Sequence, residues 1–110
     1  MRILLDECLP KDFGREFFGH TVTTVPQAGW SGIGNGKLLA KIAESNQFDL
    51  FVTVDRRLPD QNKTSNLPFS IMVLRSKSNR MAHLVPFVRQ ITLRINELRP
   101  GSVYVIDQSA

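Results

Sequence analysis

Three acidic residues stand where short apolar runs stop. Ile3-Leu4-Leu5 is followed at once by Asp6 and Glu7, and Leu50-Phe51-Val52-Thr53-Val54 is followed by Asp55. An apolar run that halts at a charge reads as a buried strand delivering a carboxylate at its carboxyl end. If the two strands run parallel, both ends lie on one rim of the sheet, and carboxylates about fifty residues apart in sequence converge there. Clustered carboxylate oxygens suit Mg²⁺ or Mn²⁺, which binds through one or two of them, keeps several waters and reaches out to a phosphate. A metal held in this way activates water and neutralises charge developing on a phosphodiester. Asp6 and Asp55 are the expected catalytic ligands. Glu7 is a weaker one, because adjacent residues on an extended segment point in opposite directions. Acids also open ordinary solvated loops, but two strand ends doing so in one small chain, one with a double acid, tilt the reading towards a site.

Cations gather in the same stretches. Of the fourteen Lys and Arg residues, Arg56, Arg57 and Lys63 follow the third strand, and Arg75, Lys77 and Arg80 follow the fourth. Beside the acids, these six would hold an RNA phosphate backbone across a metal site. The competing reading is a solvated loop whose arginines pair with Asp55 and Asp60. Arg89 and Arg94 fall on opposite flanks of the last helix's apolar stripe and read as its solvated edges. Other reactive residue types carry less. Cys8 follows two acids, which disfavour a thiolate. His20 and His83 have no spaced partner and read as surface or capping residues. The glycines before Lys37 do not match a phosphate-binding loop. Trp30 reads as a lid on the core rather than a base-stacking platform.

The elements that must position these groups alternate. Pro10 opens a first helix whose apolar stripe is Leu9, Phe13 and Phe17, and Gly19 stops it before a second strand around residues 21–25. Residues 26–36 form a glycine-rich loop, with Asn35 as cap of the helix that carries Leu38, Leu39, Ile42 and Ala43. After the third strand, residues 56–68 read as an irregular excursion, Ser70–Leu74 as a fourth strand and residues 75–80 as a basic loop. Leu84, Val88, Ile91, Ile95 and Leu98 predict one helix over residues 82–98, with Pro86 in its first turn. Val103–Ile106 closes the chain as a last strand. Strands separated by helices imply right-handed crossovers and a mostly parallel sheet covered on both faces.

The whole fits one domain over residues 1–110: 42% of residues are hydrophobic and 22% charged. A domain of this size buries roughly two-thirds of its unfolded surface and needs no staple. With one cysteine and two histidines, a structural zinc fold is excluded. Asp6 and Glu7 interrupt the opening apolar run too soon for a signal peptide, and no later run could span a bilayer, so a cytoplasmic protein without a membrane partner is expected. The formal charge of +4 and pI near 9.7 favour a polyanionic partner.

With these residues placed, the chain resembles the PIN-like family of small bacterial proteins, relatives of the PIN-domain ribonucleases found as toxins in toxin–antitoxin pairs. The resemblance runs through LLDECLP, TVPQAGWSGIGNGKLL, FVTVDRRL and SNR, and so covers nearly the whole chain. It implies a three-layer α/β/α fold with a mostly parallel central sheet of about five strands. It also implies Mg²⁺-dependent RNA cleavage by acids at one rim. Asp6 and Asp55 then take the positions of metal-binding acids, and Thr53 that of a residue supporting the second. Asn35-Gly36-Lys37 and Arg57 depart from the family, which tends to carry acids there; two cations in their place lower the ligand charge.

Three functions follow. The first is a Mg²⁺- or Mn²⁺-dependent endoribonuclease, the toxin of such a pair, with an antitoxin protein or a homodimer among its partners. The second is a catalytically eroded module that binds RNA or a partner protein, motivated by Lys37 and Arg57. The third and weakest is a phosphoacceptor receiver domain, which lacks its expected Lys after the fifth strand, where Asp107 stands.

Overall fold

The computed structural model describes residues 1–107. Five strands, β1 (Arg2–Leu5), β2 (Thr21–Thr24), β3 (Leu50–Thr53), β4 (Ser70–Arg75) and β5 (Val103–Asp107), form one sheet in the order β2-β1-β3-β4-β5. Every pairing is parallel. A parallel sheet is covered on both faces, so its inner strands are apolar without interruption, and β1, β3 and β4 are buried almost throughout.

Alternation along those strands splits the core in two. Ile3, Leu5, Leu50, Val52, Met72 and Leu74 face one layer, and Leu4, Phe51, Ile71 and Val73 face the other. The second face is covered by α1 (Asn35–Ser45) through Leu38, Leu39 and Ile42, and by Leu58 of the short α2 (Leu58–Gln61). The first is covered by Leu9, Phe13 and Phe17 and by the C-terminal helices. The result is the expected three-layer arrangement. Strand order reverses at β1, and the crevice beyond the carboxyl ends of β1 and β3 is the switch point where ligands bind in such sheets.

Several local expectations need correction. The segment after Pro10 is a 3₁₀ helix, Lys11–Glu16, rather than an α-helix. The Phe17 N–H bonds the Gly14 carbonyl three residues back, and the stripe of Leu9, Phe13 and Phe17 is buried as expected. Gly14 lies so close to β2 that a Cβ there would meet Val22 Cγ1 at 2.9 Å. Asn35 does not cap α1. Gly34 takes the cap position with extended backbone, and Asn35 is the first helical residue. The 82–98 helix is broken into α3 (Met81–Leu84), α4 (Phe87–Arg94) and a 3₁₀ turn, Ile95–Glu97. The first break falls at Pro86, which has no N–H to continue the ladder and crowds the preceding turn. Residues 56–68 include α2, and Arg75 belongs to β4 rather than to the basic loop. Among the described residues no helix is long and apolar enough to cross a membrane.

Two glycines with left-handed backbone separate conformational strain from collision. Gly19 (φ 81°) has open space where a Cβ would stand, whereas a Cβ on Gly101 (φ 82°) would run into the Ser65 carbonyl. Gly19→Ala should cost about 1 kcal/mol, and Gly101→Ala about 3 kcal/mol or more because the backbone at Ser65 must also move. Urea unfolding of the two variants checks this, and equal costs would contradict the packing at Gly101.

Candidate functional site

Asp6 leaves β1 and is 7% exposed; its backbone N–H still bonds the Val52 carbonyl of β3 at 2.9 Å, so the residue is held against the neighbouring strand. Its carboxylate accepts two hydrogen bonds, from the Thr53 hydroxyl to Oδ2 at 2.6 Å and from the Glu7 N–H to Oδ1 at 2.9 Å. Thr53, fully buried, is the last residue of β3. The same hydroxyl oxygen accepts the Asp55 N–H at 3.0 Å, and Asp55 Oδ1 accepts the Arg57 N–H at 3.0 Å. Two successive side-chain-to-backbone turns thus pull the chain out of the ladder. They explain why β3 stops at Thr53 rather than Val54. Asp55 Oδ2 accepts from Asn35 Nδ2 at 3.1 Å, which ties the start of α1 to the strand end.

One threonine hydroxyl therefore joins the two carboxylate-bearing segments. No Lys or Arg side chain pairs with Asp6 or Asp55 among the described residues. Burial raises the Asp6 carboxyl above the ordinary aspartate range; Thr53, the Glu7 N–H and Cys8 hold it down in part, and Asp55 adds a smaller upward push. Burial likewise pushes the half-buried Cys8 thiol up, Asp6 adding to it, so this sulfur is a poor nucleophile.

The donor set fits a magnesium-type cation more sparingly than expected. Thr53 links the segments of Asp6 and Asp55, but among the described residues no group of three or more His, Cys, Asp or Glu side chains is placed to hold a metal ion. The exposed Glu7 turns instead to the glycine-rich loop, where Oε1 accepts the Gly32 N–H at 3.0 Å. Two carboxylates suffice for Mg²⁺ when water and substrate phosphate complete its shell. Each of the four carboxylate oxygens accepts one hydrogen bond here, which leaves lone pairs for a cation.

The cations distribute unevenly. Arg56 and Arg57 follow Asp55 directly and are exposed. Lys77 and Arg80 are exposed on the loop before α3, which Asn79 fastens to the exit of β1 by donating from Nδ2 to the Cys8 carbonyl at 2.9 Å. Arg56 and Arg57 thus adjoin Asp55 along the chain, and the loop bearing Lys77 and Arg80 is fastened to the segment that carries Asp6. Arg75 is an exception, pairing with Asp107 at 3.2 Å. Lys63 is exposed and follows Asn62, whose side chain lies against Gly36 in the first turn of α1. Lys37 is exposed in the first turn of α1. His83 orders the basic loop through Ser78 Oγ at 2.7 Å, and Trp30 packs edge-on against Phe48, as a core lid does.

Sequence reasoning missed Asn35 as a partner of Asp55 and the turn of Glu7 away from the pair. Both depend on where the glycine-rich loop folds back, and its sequence carries no periodic signal. Comparison with protein-family models, with curated proteins and with solved structures gives no match.

The folded protein holds the Asp6 proton more tightly than the unfolded chain does. Stability therefore declines as pH rises from the ordinary aspartate pKa of about 4 through the raised value. In chelator, Asp6→Asn should melt higher than the wild type at neutral pH, and the gap should close towards acid; a gap that widens on acidification would contradict the burial cost. Thr53→Val removes the donor to Asp6 and the acceptor for Asp55 together and should cost about 1–3 kcal/mol. Thr53→Ser keeps the hydroxyl and should cost about 1 kcal/mol in denaturant unfolding.

Proposed function

We propose that this protein is a Mg²⁺- or Mn²⁺-dependent endoribonuclease that works at the Asp6–Asp55 pair. The observation that carries the reading is a buried carboxylate with no cationic side chain paired to it, hydrogen-bonded through Thr53 to the segment bearing a second carboxylate at the switch point of a parallel sheet. The resemblance of LLDECLP and FVTVDRRL to PIN-like ribonucleases supports it, and the same resemblance would make the protein a toxin with an antitoxin as partner.

A divalent ion bound there would supply a water of lowered pKa and offset charge on the scissile phosphate. Asp6 and Asp55 would hold it. Thr53 fixes the Asp6 carboxylate against rotation and sets the Asp55 backbone, and Asn35 orients the outer oxygen of Asp55. Arg56, Arg57, Lys77 and Arg80, which have no carboxylate partner among the described residues, would hold the RNA backbone.

A second reading is favoured by the sparse ligand set and by Lys37 and Arg57: an eroded module that binds RNA without cutting it. The receiver-domain reading shares the observed strand order, but Asp107 ends β5 and pairs with Arg75 where such a domain needs a free lysine.

Incubation of purified protein with single-stranded and structured RNA separates these. Cleavage should require Mn²⁺ or Mg²⁺ and fall about a hundredfold or more in Asp6→Asn and in Asp55→Asn. RNA bound without turnover, with affinity falling steeply in salt, would select the eroded module. Cleavage that survives both substitutions would overturn the assignment.

A further inference from the structure

A second feature lies one strand over from the carboxylates. In the β4–β5 ladder Val73 pairs with Val105 and Arg75 with Asp107. Residues two apart on a strand share a face, so these four side chains form one patch, and Tyr104 and Ile106 belong to the other face. The patch lies on the side covered by α1 and α2. α2 is only four residues long, however, and the upper end of β5 is left uncovered, so Val105 is 52% exposed. Arg56, the residue after Asp55, reaches the same spot and with Val73, Arg75 and Val105 lines an open concavity of about 250 Å³. The Arg75 guanidinium is held by Asp107 at 3.2 Å.

Two valines beside two arginines offer apolar surface that a bare phosphate would leave unused. The combination suits a flat, π-faced group that stacks on guanidinium planes and covers the valines while its edge hydrogen-bonds. We infer that this concavity is the subsite for one unstacked nucleobase of a single-stranded RNA whose backbone crosses the carboxylate pair. The inference rests on the proposed RNA-cleaving function and adds to it a base-binding subsite on β4 and β5, apart from the carboxylates.

The test uses the full chain in chelator, with a short single-stranded RNA carrying one 2-aminopurine and a matched RNA carrying an abasic residue at that position. The wild type should change the 2-aminopurine fluorescence on binding and should bind the base-bearing RNA about tenfold more tightly than the abasic one. Val105→Asn, a neutral change at an exposed position, should erase that ratio while leaving abasic RNA bound as the wild type binds it. Equal affinity of the wild type for the two RNAs, an unchanged fluorescence, or no binding of either RNA would overturn the subsite. Failure of the cleavage reading is distinguishable: base-dependent binding without Mn²⁺-dependent cutting keeps the subsite and removes the nuclease, and cutting that ignores the abasic site does the reverse.

Discussion

A carboxylate taken out of water must find hydrogen-bond donors and a compensating charge, and Asp6 finds only the donors within its own chain. The Thr53 hydroxyl and the Glu7 N–H satisfy its oxygens, but no arginine or lysine neutralises it among the described residues. Burial correspondingly raises its pKa, and the nearby Asp55 raises it further. Such an arrangement costs stability in the metal-free protein, and it is the kind of cost that functional sites retain. The account of this molecule turns on that uncompensated charge.

The sheet makes the arrangement possible. Parallel strands bring the ends of β1 and β3 to one rim, and the pairing of Leu5 with Val52 puts Asp6 beside Thr53. The turns at Thr53 and Asp55 then fold the chain back, so that Asp55 meets Asn35 at the start of α1. The same register aligns Val73 with Val105 and Arg75 with Asp107 on the neighbouring pair of strands. Carboxylates and base-sized concavity are thus consequences of one set of strand pairings.

Much of this was legible in the residues. Apolar runs ending in acids located both β1 and β3, and the alternation of strands and helices implied the parallel sheet and its covered faces. The buried positions of Leu9, Phe13 and Phe17 followed from spacing, although the winding that buries them is 3₁₀, because an apolar stripe does not record how tightly the backbone turns. Spacing alone puts Pro86 in a tolerated first turn, whereas residues on its amino-terminal side form a helical turn of their own, so it falls at a break. Glu7 and Asn35 lie beside or at the end of the glycine-rich loop, and their partners are set by how that loop folds back, which leaves no periodic trace in sequence. Arg75 meets Asp107 through the β4–β5 register, which needs the strand order to be known first.

The central claim is that Asp6 and Asp55 together hold a divalent cation. Titrating the purified protein with Mn²⁺ at neutral pH, and following the free aqueous ion by its electron paramagnetic resonance spectrum, tests it without relying on any substrate. The wild type should remove a single ion per chain from solution, Asp6→Asn and Asp55→Asn should each abolish that uptake, and Glu7→Gln should leave it intact because Glu7 is turned to Gly32. A wild type that binds no Mn²⁺, or uptake that persists in either aspartate variant, would contradict the account.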